Sequence, residues 1–242
     1  CDRMIRMSRS ASTVHLVGAT VHVHGVTELR FLQATMSAAP GQYVFINVPE
    51  LSLFQWHPFT LSTGSHSDEF SLHIKAMGEN TWTQQLSHRV ATTGKEGITL
   101  LVDGPYGVPL QPYDYKKVVL VAGGIGITPC ASIFSFLKLN EDVSSTIVWV
   151  LREEGIATAF TSHLSCHITS RNGESVSVNR SVGPGGHRAK LFLTRGGGGG
   201  AASSLADAAH VEVQRGRPDM EAELSAAAAG FDPWDVLVFV CG

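Results

Sequence analysis

Cysteine and charge are both scarce in this chain. Its 242 residues include four cysteines, Cys1, Cys130, Cys166 and Cys241, and no two of them form a CxxC pair. Such spacing indicates neither a zinc site nor a disulfide framework, and reduced thiols in a cytosolic setting are the simplest interpretation. The net charge is −3, which gives no sign of the basic surface that a nucleic-acid partner requires.

Long hydrophobic runs are also absent. No apolar run approaches the roughly 20 residues of a membrane-spanning helix, and the first residues do not resemble a signal peptide. The chain is 43% hydrophobic and long enough for two domains that each bury a core. It starts at Cys1 without an initiator methionine and stops at Gly242, and we interpret it as a fragment, truncated at its C-terminus.

Short strand-like segments dominate the first part of the chain. They are residues 14–24, 42–48, 59–62, 70–75 and 98–102, separated by glycine, proline and serine turns. Residues 80–89 predict a short helix, because Trp82 and Leu86 lie four positions apart on one face. The pattern predicts a small antiparallel β-barrel over residues 13–107, preceded by a link over residues 1–12.

The pattern changes after residues 103–107, whose glycines and proline indicate a linker. Apolar strands are predicted at 117–122, 146–151 and 235–241, and helices at 129–139, 158–167 and 220–229. Strands that alternate with helices predict a doubly wound α/β domain over residues 108–242.

Residues 168–216 interrupt this alternation. The glycine-rich stretches at 183–186 and 196–200 cannot offset the entropy cost of ordering, so we interpret the whole segment as a flexible insertion. Residues 190–194 are an apolar island inside it that is able to pair as a strand.

A glycine-rich turn follows the first strand of the predicted α/β domain. It reads Gly-Gly-Ile-Gly-Ile-Thr-Pro, from Gly123 to Pro129. Its glycines allow a sharp turn, Thr128 is predicted to cap the following helix, and Pro129 suits the first helical position. A helix N-terminus in this place attracts a pyrophosphate. The alternative is a tight strand–helix turn without a ligand, since the motif is not the six-residue Rossmann fingerprint.

A second motif is the tetrapeptide His57-Pro58-Phe59-Thr60. Strand alternation places His57 and Phe59 on one face and Thr60 on the other. An aromatic face, a hydroxyl and an imidazole are groups that can contact a flavin ring, its ribose and its phosphates. The alternative is an edge strand that contains a proline.

Histidines raise the question of a metal site. His22 and His24 are predicted to share a strand face, with His15 nearby on the opposite one. Because two histidines without a clear third ligand usually lie on a solvated surface, no metal is predicted.

Several motifs together resemble a known family. They are residues 41–50 (GQYVFINVPE), 54–60 (FQWHPFT), 102–107 (VDGPYG), 123–129, 151–153 (LRE), 216–218 (GRP) and 240–242 (VCG). In this order they resemble the cytosolic dehydrogenase region of the NADPH oxidase family, flavocytochromes that share the ferredoxin–NADP reductase superfamily with ferric reductases. The resemblance covers nearly the whole chain apart from the glycine-rich segment.

The resemblance implies two cofactors and the residues that hold them. FAD is expected at His57, Pro58, Phe59, Thr60, His73, Lys75, Gly78, Trp82 and Thr83, and NADPH at Gly123, Gly124, Gly126, Thr128, Pro129, Arg152, Arg217 and Cys241. Thr60 and Cys241 are expected nearest the reacting rings. Lys75 stands where the family often has an arginine, so it keeps the charge and loses the bidentate fork.

The function implied by the resemblance is electron transfer. NADPH gives a hydride to FAD, and single electrons then pass to heme in a membrane domain of the same chain and on to oxygen, giving superoxide. Arg3, Arg6 and Arg9 then resemble the link from the last membrane helix, which places the chain at the cytosolic face of a membrane, the plasma membrane being the expected one. Regulatory subunits are not specified.

Two alternatives stay open. A ferric-chelate reductase shares the same motifs and differs in its electron acceptor, although residues 49–50 and 54–56 favour the oxidase. A non-catalytic relic that serves as an interaction platform is the other, because the chain lacks the C-terminal aromatic residue that covers the flavin in this family.

Overall fold

The computed structural model describes residues 12–63, 69–138, 140, 142–164, 167–169, 175–177, 186–195 and 211–242. They fall into two compact units, divided between Leu110 and Gln111. Among the described residues, no helix is long and apolar enough to cross a membrane. The predicted link lies outside the described residues except for Ser12, which pairs with Val102 in a sheet.

Antiparallel strands build the first unit. They are β1 (Ser12–Thr13), β2 (His15–His22), β3 (Val26–Leu32), β4 (Tyr43–Asn47), β5 (His57–Thr60), β6 (Glu69–Lys75) and β7 (Leu101–Tyr106). One sheet has the order β1-β7-β4-β5 and the other β2-β3-β6. A bridge between Leu61 and Leu72 connects the end of β5 to β6. The predicted antiparallel architecture of this half is confirmed.

The core of the first unit lies between its strands and helix α1 (Trp82–Thr93). Leu29, Ile46 and Leu72 are fully buried there, and each such side chain contributes about 1.5–3 kcal/mol on burial. The helix runs four residues past its predicted end and stops at Gly94, whose φ of 62° is a conformation that favours glycine.

Residues 103–107 were expected to form a linker, and most of them form strand β7 instead. The ring of Tyr106 packs against two rings of the paired strand β4. Its centroid lies 5.6 Å from that of Phe45 and 5.9 Å from that of Tyr43. Its hydroxyl donates to the carboxylate of Asp103 at 3.0 Å. Cross-strand aromatic packing therefore outweighs the turn preference of the glycine and proline.

A parallel sheet forms the second unit. Its strands are β8 (Lys117–Gly123), β9 (Ser144–Leu151), β12 (His187–Leu193), β13 (Val211–Arg215) and β14 (Val236–Cys241), in the order β13-β12-β9-β8-β14. The helices are α2 (Ile127–Leu137), α3 (Gly155–Thr158), α4 (Thr161–Leu164) and α5 (Met220–Ala228), and β10 (His167–Thr169) pairs with β11 (Ser175–Ser177). The predicted doubly wound α/β class is confirmed.

The segment interpreted as a flexible insertion contains two strands of this sheet. Strand β12 lies between β9 and β13, and Leu191 and Phe192 are buried there. The apolar island at residues 190–194 did indicate this strand, but the structure starts it three residues earlier, at His187. Treating the whole segment as flexible was wrong, because the apolar side chains of this strand are buried in the parallel sheet. Residues 196–210, which include the second glycine-rich stretch, lie outside the described residues.

The helix predicted at 158–167 is also different. The structure has two short helices, α3 and α4, and His167 begins strand β10. The Thr158 hydroxyl donates to Gly155 O at 2.7 Å, and the Thr161 hydroxyl donates to Thr158 O at 3.0 Å. Such side-chain bonds to the backbone compete with a continuous helix.

Candidate cofactor sites

An aromatic cluster lies at strand β5. The ring centroid of His57 is 4.3 Å from that of Trp82, and Phe59 is 6.1 Å from the same indole. His57 and Phe59 lie two residues apart on the strand and share a face, as the alternation predicts. Trp82 is held at the first position of α1 by Thr81, whose hydroxyl accepts a hydrogen bond from the Gln84 backbone.

Two buried ring nitrogens in this cluster have no hydrogen-bond partner among the described residues. They are Nε2 of His57 and Nε1 of Trp82. Burial lowers the pKa of His57, so its ring is neutral at neutral pH. An unsatisfied buried polar group costs about 1–3 kcal/mol and is rare in native proteins. A ligand with ring carbonyls and phosphate oxygens, such as FAD, fits both nitrogens.

The other two residues of the tetrapeptide lie on the same edge strand. Pro58 is exposed and pairs with Phe45, which suits a proline at a sheet edge. Thr60 is half-buried at the end of β5, opposite Tyr43.

Residues predicted to hold a phosphate surround the loop before α1. Lys75 ends β6, and Gly78 follows with a φ of 124°, where a side chain is disfavoured. The Thr83 hydroxyl accepts a hydrogen bond from the Met77 backbone at 3.1 Å. A cation and the N-terminus of a helix thus flank one loop, an arrangement that favours an anion.

His73 is buried on β6, two residues before Lys75. Its Nδ1 is 3.0 Å from the Ser62 hydroxyl, and its ring stacks on His22 at 6.3 Å.

The glycine turn of the second unit begins the helix earlier than predicted. Residues Gly124–Gly126 form a 3₁₀ turn that runs directly into α2 at Ile127. Thr128 is therefore inside the helix and not its cap, and Pro129 is the third helical residue rather than the first. Three glycines already turn the chain, so helical geometry starts before Thr128. Among the residues that the structure describes, no side chain caps this N-terminus, which leaves backbone N–H groups for a ligand.

The end of β14 lies against this turn. A Cβ on Gly126 would be 2.7 Å from the carbonyl oxygen of Cys241, and one on Gly123 would be 3.3 Å from Gly242 Cα. Trp149 of β9 donates from its indole to Gly124 O at 2.8 Å and fixes the turn from the other side. Close backbone approach thus requires glycine at position 126 and favours it at position 123.

The sheet order makes this place a topological switch point. The chain leaves β8 toward β9 on one side, while β14 pairs with the other side of β8. In open α/β sheets, ligands bind outside the carboxyl ends of the strands at such a point. Arg152 follows β9 at this edge and Arg217 follows β13, and both are exposed.

Burial raises the pKa of the Cys241 thiol, and burial raises that of Cys130 to about 12. Both thiols are therefore protonated at neutral pH, and neither is a thiolate nucleophile.

Comparison with known proteins agrees with this geometry. A model of FAD-binding domains matches residues 8–110, and one of ferric reductase NAD binding domains matches residues 115–182. NADPH oxidase 1 of Rattus norvegicus is 30% identical over 259 residues, which cover 100% of this chain and 44% of the relative. A superoxide-generating NADPH oxidase heavy chain of Dictyostelium discoideum is 36% identical over 151 residues, or 57% of this chain and 29% of the relative.

The chain belongs to the NADPH oxidase and ferric reductase family. It spans less than half the length of these two relatives. A ferredoxin NADP+ reductase from Neisseria gonorrhoeae, solved with bound FAD and NADP, superposes with a TM-score of 0.56 at 15% identity, covering 95% of this chain and 98% of that one. At this identity the likeness shows the fold, and it confirms the predicted pairing of a flavin-type barrel with a nucleotide domain.

The cap of α1 by Thr81 and the support of the glycine turn by Trp149 were not predicted from the sequence. Thr81 and Gln84 have the spacing of a capping box, so the start of α1 was detectable. Trp149 gave no signal, because its bond to Gly124 joins neighbouring strands and depends on their register.

Proposed function

We propose that this chain passes a hydride from NADPH to FAD and then releases single electrons. The observation that carries the proposal is the presence of both family domains in one chain, each with polar groups prepared for its cofactor. These groups are the ring nitrogens of His57 and Trp82 and the N-terminus of α2, which have no side-chain partner within the described part of the chain. Bound FAD supplies a ring that accepts a hydride and donates electrons one at a time.

The residues of the first unit bind and orient. His57 and Trp82 hydrogen-bond the FAD through their buried nitrogens, and Phe59 supports the ring. Thr60 holds the flavin through its hydroxyl, which makes it one of the two residues nearest the chemistry. The FAD phosphates bind at the loop before α1. The charge of Lys75 attracts them, and the backbone N–H groups near Gly78, Thr83 and the start of α1 donate hydrogen bonds.

The residues of the second unit bind NADPH. The turn from Gly123 to Gly126 and the N-terminus of α2 receive its pyrophosphate, and Arg152 and Arg217 are the candidates for the 2′-phosphate. Cys241, at the end of β14, lies at the nicotinamide end of the site. Its thiol, which burial keeps protonated, would contact the nicotinamide without acting as a nucleophile.

We propose that this chain lies at the cytosolic face of a membrane in the longer protein. A heme-bearing membrane domain of the same chain then carries the electrons across the membrane to oxygen. The names of relatives support this, since one of them is named as superoxide-generating. A ferric chelate is the second candidate acceptor, because the model that matches residues 115–182 describes ferric reductases.

Acceptor assays separate the two. Full-length protein in membranes is given NADPH and FAD, and its rates of superoxide formation and of ferric-chelate reduction are compared. The proposal predicts superoxide that persists without iron. Reduction of ferric chelate with no superoxide would assign the chain to the reductases, and no NADPH oxidation at all would leave only the interaction platform.

A further inference from the structure

Three polar side chains converge on one face of the sheet formed by β2, β3 and β6. They are His22, Glu28 and His73, and their ligand atoms all lie within 4.8 Å of one another. Glu28 pairs directly with His73 on β6, and His22 pairs with Val26, two residues before Glu28 on the same face. Three neighbouring strands therefore hold the three side chains in place.

We propose that His22, Glu28 and His73 bind a divalent transition-metal ion of the zinc type. Two imidazoles and one carboxylate are a ligand set that zinc accepts with a fourth position open. Zinc bonds of about 2.0–2.2 Å place neighbouring ligand atoms of a tetrahedral site about 3.3 Å apart. In the structure, His22 Nε2 and Glu28 Oε2 are 2.8 Å apart, and all the ligand atoms of the cluster lie within 4.8 Å of one another. The tetrahedral separation falls between these two distances, so small rotamer changes would bring the three ligands to a zinc ion.

The surroundings also suit a metal. Arg30 lies 3.9 Å from the other carboxylate oxygen of Glu28, Oε1, and so turns Oε2 toward His22. Metal-bound histidines commonly donate their second ring N–H to a polar partner, and the Ser62 hydroxyl is placed for this beside His73 Nδ1.

Access to the cluster comes from one side. The side chains of His22 and Glu28 are 23% and 20% exposed, while His73 is 3% exposed at the base. The sequence pattern had instead predicted that His22 shares a strand face with His24. That prediction is wrong, because β2 ends at His22 and His24 lies in the following turn with a φ of 60°.

Zinc titration of the purified chain tests the site. Equilibrium dialysis against Zn²⁺, with metal analysis, is expected to give one ion per chain. Replacing a direct ligand, in His22→Ala or Glu28→Gln, should weaken binding by more than the about 10–100-fold that loss of an orienting partner costs. His24→Ala is the matched control, since His24 is exposed and lies outside the cluster, and its affinity should stay unchanged.

Co²⁺ in place of Zn²⁺ then identifies the ligands. Nitrogen and oxygen ligands predict visible bands without a thiolate-to-cobalt charge-transfer band. Each variant is first melted in chelator, and where His22→Ala does not fold, His22→Gln, which keeps a donor for Glu28, replaces it. Any of three results would overturn the proposal. They are a thiolate-to-cobalt band, a loss of zinc affinity in His24→Ala as large as that in the ligand variants, and a zinc affinity of the wild type no greater than that of the His22 variants.

Discussion

The carbonyl oxygen of Cys241 lies where the side chain of residue 126 would otherwise be: a Cβ on Gly126 would come within 2.7 Å of it. This contact joins the end of β14 to the first turn of α2. It brings the residue expected nearest the nicotinamide next to the turn expected to hold the pyrophosphate.

Gly126→Ala tests this contact. The methyl group meets backbone atoms that cannot rotate away, so we expect the end of β14 to shift at a cost of about 1–3 kcal/mol. NADPH binding should weaken while FAD binding is retained, as measured by separate titrations. Gly123→Ala is the graded comparison, because its Cβ meets Gly242 Cα at 3.3 Å and its φ is −113°. Equal effects of the two variants would contradict the account.

Trp82→Phe tests the buried indole nitrogen. Phenylalanine keeps a ring against His57 and removes the donor, so the affinity for FAD should fall about 2–10-fold, the value of one hydrogen bond of 0.5–1.5 kcal/mol. Flavin fluorescence on titration measures it. Trp234→Phe is the control, since Trp234 is 90% exposed. An unchanged FAD affinity in Trp82→Phe would remove the indole N–H from the site.

The two sites differ in how well the sequence predicted them. The apolar run at 117–122 predicted β8, and the alternation in the tetrapeptide predicted that His57 and Phe59 share a face. Both signals are local, and burial enforces them. Thr128 was wrong as a cap, because three preceding glycines start the helix first.

Contacts between distant parts of the chain could not be predicted from the sequence. The contact between Gly126 and Cys241 depends on the parallel pairing of β8 with β14, which are more than a hundred residues apart. The cluster of His22, Glu28 and His73 depends likewise on the registers of three strands. Local periodicity carries no register between distant strands.

Arg152→Ala tests the choice of nucleotide. Because Arg152 is expected to meet the 2′-phosphate, its loss should raise the apparent KM for NADPH about 10-fold, or about 1.4 kcal/mol, with little change for NADH. Arg188→Ala is the control, since Arg188 is exposed near the opposite, amino end of its strand. Steady-state rates measured with both nucleotides give the two KM values. An equal rise in the KM for NADPH and for NADH would exclude Arg152 from the 2′-phosphate site.

The partly buried imidazole of His57 predicts a pH effect on stability. Burial lowers its pKa below the ordinary 6.5, so the unfolded chain takes up this proton first as the pH falls. The stability is therefore present above about pH 6.5 and is lost below it. Urea unfolding at pH 7.5 and 5.5 should show a smaller loss for His57→Asn than for wild type, with His24→Asn behaving as wild type. A loss as large in His57→Asn as in wild type would contradict the assignment.

An absorbance scan of the purified chain with FAD, followed by NADPH without oxygen, observes hydride transfer itself. Because both sites are present in this chain, the flavin bands should be perturbed after FAD is added and should bleach after NADPH is added. Free-flavin bands that remain unperturbed by the protein and unbleached by NADPH would contradict this prediction.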